Sequence, residues 1–142
     1  MKQLLNNKIN LISKKVLDYT PQLYYLEKND NDTIPKPLAS SVLYSSQNNS
    51  YLITAKHVFD NQEEWNIGIL IENTFYSLEG SKYQIEDNDI DIAICKLTNE
   101  LRNILIGNYS FLNKSQVDEK HYYKILVSRY LEIGFPITRK LF

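Results

Sequence analysis

Ser50-Tyr-Leu-Ile-Thr-Ala-Lys-His57-Val58 is the stretch from which the fold of this chain is read. Tyr51 to Ala55 is a short β-favouring run. It follows the polar stretch Ser45-Ser-Gln-Asn-Asn-Ser50, and before that lies a second such run, Leu38 to Tyr44. Two runs of this kind joined by a polar turn predict a β-hairpin. The return strand delivers His57 at its end, where Lys56 to Asp60 reads as a single helical turn. An imidazole placed there stands on rigid scaffold.

Further along comes Asp91-Ile-Ala-Ile-Cys-Lys-Leu97, an acid at the head of an apolar run. Ile90 to Leu97 is expected as a strand. A histidine at the end of one strand and a carboxylate at the edge of another supply two of the three parts of a charge-oriented general base.

The rest of the chain extends the β pattern. Gln22 to Lys28 reads as an aromatic-rich strand, and Asn29 to Pro37 as an exposed polar and proline-containing loop. Trp65 to Glu72 and Thr74 to Glu79 form a second hairpin with Asn73 at its tip. Tyr83 to Ile85 and Tyr122 to Ile133 are further strands, and Thr98 to Ile106 is a short helix or turn. At the N-terminus, Leu5, Ile9, Ile12 and Val16 recur at spacings of four, three and four, one face of an amphipathic helix over residues 2–18. The sum is a mainly β chain: a six-stranded antiparallel β-barrel over residues 21–142, with an N-terminal amphipathic helix in residues 1–20. A β-sandwich gives a similar pattern.

Bulk properties narrow the function. With 142 residues the chain fits one domain with a real core. A net charge of −1 leaves no basic excess to neutralise phosphates, so nucleic acid is not expected as a partner. No apolar run is long enough to span a bilayer, and the first residues lack the pattern of a signal peptide. The single cysteine, Cys95, suits a reducing compartment, and the expectation is a cytoplasmic protein. The bias to Asn, Lys, Ile and Tyr with few Gly suits a low-GC bacterial source. No cofactor or metal is expected. Cys95, His57, His121 and the Asp87, Asp89 and Asp91 cluster lack the close ligand spacings of a metal site. Cys95 alternates with apolar neighbours and reads as core.

Two of these segments resemble a known family. Thr54-Ala-Lys-His57-Val58 resembles the Thr-Ala-Ala-His-Val/Cys segment of trypsin-like serine peptidases. Asp91-Ile-Ala-Ile-Cys-Lys-Leu97 resembles the Asp-Ile-Ala-Leu/Val-Leu-x-Leu segment that carries their triad aspartate. Leu38-Ala-Ser-Ser-Val-Leu-Tyr44 stands where the family has its Gly-Ser-Gly-Phe/Val-Leu strand, and Ile133-Gly-Phe-Pro136 looks like the Gly-Tyr/Phe-Pro leading into the second barrel of many bacterial members. The resemblance spans residues 38–136. It implies the N-terminal barrel of that fold, with His57 as general base and Asp91 orienting it.

The sequence departs from the family at the nucleophile. The family carries it in a Gly-x-Ser-Gly turn of the second barrel, and no such motif occurs. Only Gly80-Ser81 places Gly beside Ser. Ala39-Ser40-Ser41 lacks the family's glycines, and the sequence stops at Phe142, where a second barrel would begin. The expectation is therefore a partial serine endopeptidase domain, inactive alone: a fragment, a gene remnant, or a chain kept for other work. Its partners would be a polypeptide substrate or the second protease half. The alternative is a non-catalytic interaction module, or pseudoprotease, that associates with another chain or with itself through the open barrel face.

Overall fold

The computed structural model describes residues 2–29, 34–84 and 90–117. It is mainly β. Helix α1 spans Lys2–Leu17, and eight strands follow: β1 Gln22–Glu27, β2 Lys36–Ser40, β3 Val42–Ser46, β4 Asn49–Thr54, β5 Trp65–Ile71, β6 Thr74–Ser77, β7 Lys82–Gln84 and β8 Ala93–Lys96. Helix α2 spans Asn99–Ile106. The strands form two four-stranded antiparallel sheets, ordered β2-β1-β5-β6 and β3-β4-β8-β7. The strand expected over Tyr83 to Ile85 is found as β7 as far as Gln84; Ile85, the strand expected over Tyr122 to Ile133 and Ile133-Gly-Phe-Pro136 lie outside the described residues.

Strand β4 shows why the pattern folds. Ser50, Leu52 and Thr54 point inward and are buried, while Asn49, Tyr51 and Ile53 are only partly covered. That is the two-residue period of a sheet with one face on a core. Leu23 and Ile69 from one sheet meet Leu43, Leu52, Ala93 and Cys95 from the other in one apolar cluster. Burying each of the larger side chains contributes roughly 1.5–3 kcal/mol relative to exposure.

Six strands in one closed barrel are expected from the sequence, and the described strands instead form two sheets. The physical cause is bending. The strand read as Leu38 to Tyr44 breaks at Ser41, which is buried. Its amide and its Oγ both donate to the Pro21 carbonyl, at 3.2 and 2.7 Å. β2 thus stays in the first sheet while β3 passes to the second. Two more bonds cross near this corner: Leu43 N donates to Tyr19 O at 2.9 Å, and Thr54 Oγ1 to Ser40 O at 2.8 Å. The chain changes sheets again at Leu78–Ser81, between β6 and β7. There Leu78 N still donates to Ile67 O at 2.8 Å, and Gly80 turns with φ 86°.

The first hairpin turn is tighter than expected, and the second is one residue wider. The first closes over Gln47 and Asn48 alone, because Ser46 pairs with Asn49. The second turns at Glu72 and Asn73, whose φ angles of 47° and 66° are the left-handed pair that suits two-residue hairpins. Inside β5, a Cβ on Gly68 would lie 2.3 Å from the Tyr76 carbonyl oxygen, so only glycine lets the strands approach.

Helix α2 begins at Thr98, whose Oγ1 accepts from Leu101 N at 3.2 Å. Leu101 and Leu105 bury its inner face, and Arg102 Nε donates to the buried Ser50 Oγ at 3.0 Å. Leu112 then covers the outer edge of β3: its N–H donates to Leu43 O, and its carbonyl accepts from Ser45 N. An open strand edge is thereby protected. Of the apolar face expected on α1, Val16 is half-buried. Leu11, outside that face, is exposed.

Candidate functional site

β4 ends at Thr54, and Lys56–Phe59 follows as a single 3₁₀ turn. Val58 and Phe59 in this turn are buried. Their side chains anchor the turn in the core, and His57 is left facing outward, with 67% of its side chain exposed. The helical turn expected over Lys56 to Asp60 thus exists because two apolar residues hold it down.

Asp91 stands where the chain approaches β8. The strand expected over Ile90 to Leu97 is shorter: pairing starts at Ala93, and Ile90, Asp91 and Ile92 precede it. They leave the ladder because the Asp91 carboxylate is bonded to the 3₁₀ turn. Oδ1 accepts from the His57 backbone N–H at 2.9 Å, and Oδ2 lies 2.6 Å from His57 Nδ1. β4 and β8 are neighbours, with Thr54 paired to Ala93, so the sheet itself brings the two residues together.

The protonation follows from these contacts. The backbone N–H of His57, and after it the imidazole, hold the Asp91 carboxyl below the ordinary value of 3.8, and the Lys56 backbone N–H adds to this. An ionised carboxylate only accepts hydrogen bonds. The short contact therefore assigns the proton of a neutral His57 to Nδ1. The lone pair then lies on Nε2, which is the arrangement of a general base.

The pair is open to solvent. Asp91 has 57% of its side chain exposed, and its neighbours Ile90 and Ile92 are 50% and 49% exposed. An ion pair this wet contributes little to stability. Its value lies in orientation.

Other residues singled out in the sequence fall elsewhere. Cys95 is buried in β8, and burial pushes its thiol up to about 12, so it stays neutral and unreactive. Ser81 follows the Gly80 turn; its Oγ is buried and has no hydrogen-bond partner. Asp87, Asp89 and His121 lie outside the described residues. Among the described residues no group of three His, Cys, Asp or Glu could hold a metal ion, and no helix is long and apolar enough to cross a membrane.

Sequence reading missed two participants, the backbone N–H groups of Lys56 and His57. Every residue type has such a group, so no letter marks it. It also missed a cavity of about 230 Å³ between the sheets, near Trp65 and Ser81. Its walls come from separate strands, and nothing local in the sequence announces it. Compared with protein-family models, with curated proteins and with solved structures, the chain matches none.

Proposed function

We propose that this chain carries the His–Asp half of a serine-peptidase-type acyl-transfer site. His57 Nε2 takes the proton of an attacking hydroxyl and returns it to the leaving amine. Asp91 holds the imidazole in that tautomer and balances the imidazolium that forms. The observation that carries this reading is the double hold of Asp91 on His57, through the backbone N–H and through Nδ1.

The strand course supports a trypsin-like barrel beneath the pair. Take β2 with β3, and β6 with β7, as single strands bent at Ser41 and at Leu78–Ser81. The pairings then run from β1 to β2/β3, β4, β8, β7/β6, β5 and back to β1. That is a ring of six, the number expected from the sequence. In this reading α1 packs on the barrel as an accessory element.

In this reading the nucleophilic serine and the oxyanion hole belong to the second protease half, which these 142 residues do not include. Among the described residues no serine bonds to His57, and the sequence has no Gly-x-Ser-Gly. The imidazole nitrogens test the reading directly. In ¹⁵N NMR the neutral His57 ring carries its proton on Nδ1; a proton on Nε2 would remove the general base. A fluorophosphonate probe leaves the chain alone unlabelled. Labelling would reveal a serine of its own and end the half-site reading.

A second reading is favoured by the exposure of Ile90 and Ile92 around the pair. Apolar residues ringing a wet polar pair suit an interaction surface, covered by another protein or by a second copy of this chain. Sedimentation separates the cases: self-association that is lost in Ile92→Lys identifies the homodimer.

A further inference from the structure

A general base needs a hydroxyl to act on, and among the described residues none is bonded to His57. The imidazole is nevertheless complete in itself. It stands on the 3₁₀ turn with most of its side chain open to solvent, so a solute can reach it. Nδ1 is taken up by Asp91 Oδ2 at 2.6 Å, and among the described residues no bond reaches Nε2. The neutral ring therefore presents an unoccupied lone pair on Nε2. An imidazole with a free lone pair is a nucleophile as well as a base. Free histidine has the same ring but no fixed acid behind it. Here the acid cannot swing away, because Asp91 Oδ1 is pinned by the His57 backbone N–H at 2.9 Å.

The surroundings narrow what such a nucleophile can attack. The sequence has no Gly-x-Ser-Gly turn to form an oxyanion hole, and the Asp91 carboxyl is ionised and cannot donate a proton. The leaving group must depart unaided, as a stable anion. Aryl esters meet that condition, because a phenolate carries its own charge well. Alkyl esters and peptide amides do not.

We propose that this chain by itself hydrolyses aryl esters, with His57 Nε2 as the nucleophile and Asp91 as the residue that positions it. The inference rests on the tautomer of the half-site described above. Nε2 attacks the ester carbonyl; a C–N bond forms, the bond from the acyl carbon to the aryl oxygen breaks, and the aryloxide leaves with the electron pair. The ring becomes an N-acylimidazolium. Its Nδ1 proton stays in the bond to Asp91, whose carboxylate balances the positive charge. Water then attacks the acyl carbon and the C–N bond breaks. The carboxylic acid departs, one proton passes to solvent, and neutral His57 is restored with its proton on Nδ1.

The full chain is mixed with p-nitrophenyl acetate, and p-nitrophenolate release is followed beyond one equivalent. Wild type turns over faster than His57→Ala, whose remaining rate is the background from other groups, His121 included. The His57 side chain is exposed, so the substitution removes little packing. Asp91→Asn lowers the excess about tenfold, the effect on a barrier of losing one hydrogen bond to a charged group. Added aniline diverts the acetyl group to acetanilide without speeding p-nitrophenolate release, which marks a covalent acyl intermediate. A wild type no faster than His57→Ala overturns the proposal, as does an Asp91→Asn variant equal to wild type or an absence of acetanilide. Ring ¹⁵N shifts keep the two readings apart. A wild-type proton on Nε2 defeats the half-site and this activity together. A proton on Nδ1 with no excess over His57→Ala defeats this activity alone.

Discussion

Asp91 grips His57 at two points, with one carboxylate oxygen on the backbone N–H and the other on the ring. The first contact fixes where the residue sits, and the second fixes how its ring is turned. Asp91→Asn separates them. The amide oxygen can still accept from the backbone, so the fold is kept. The amide nitrogen can only donate, and it meets Nδ1 as an acceptor. The proton of the neutral ring then moves to Nε2. Imidazole ¹⁵N shifts of the neutral ring should show the tautomer reversed in the variant.

Acid acts on the same contact. The Asp91 carboxyl is held below its ordinary 3.8 in the folded state, chiefly by the His57 backbone N–H. A carboxyl with a depressed folded-state pKa stabilises the fold above the unfolded value, and that contribution is lost as pH falls through the depressed one. Wild type should therefore exceed Asp91→Asn in urea midpoint near neutrality, by a small margin because the site is wet. Below pH 3.8 the gap should narrow. A gap independent of pH would mean that ionisation has no part in it.

Ser41 makes the corner between the sheets with two bonds to one carbonyl. Ser41→Ala removes the hydroxyl bond and keeps the amide bond. The expected cost is about 1–2 kcal/mol, measured by urea unfolding, with little change in the slope.

Gly68 lies against its neighbouring strand. In Gly68→Ala the new methyl meets the Tyr76 carbonyl at 2.3 Å and the Phe75 ring at 2.6 Å. A backbone carbonyl in a sheet cannot step aside cheaply. We expect a loss of about 1–3 kcal/mol or more, seen as a lower melting temperature.

The sequence made the strands legible where one face is buried. In β4 the alternation of Leu52 and Thr54 with Tyr51 and Ile53 is written in the letters, and so is the apolar pair Val58-Phe59 behind His57. The bend at Ser41 was not legible. Nothing in Leu38 to Tyr44 breaks a strand locally, and the bend depends on a carbonyl twenty residues earlier. The Asp91 carboxylate reaches His57, and the strand behind it is shorter than its letters suggest. Ile90 and Ile92 look like strand residues; a tertiary bond to the turn draws them out of the ladder.

The bent segment has one more consequence. Residues 36–46 run through both sheets with only Ser41 between β2 and β3. Peeling either layer away would tear the other, so neither can melt by itself. Amide protons of β1 and β4 should exchange with a common opening free energy, as parts of one cooperative unit.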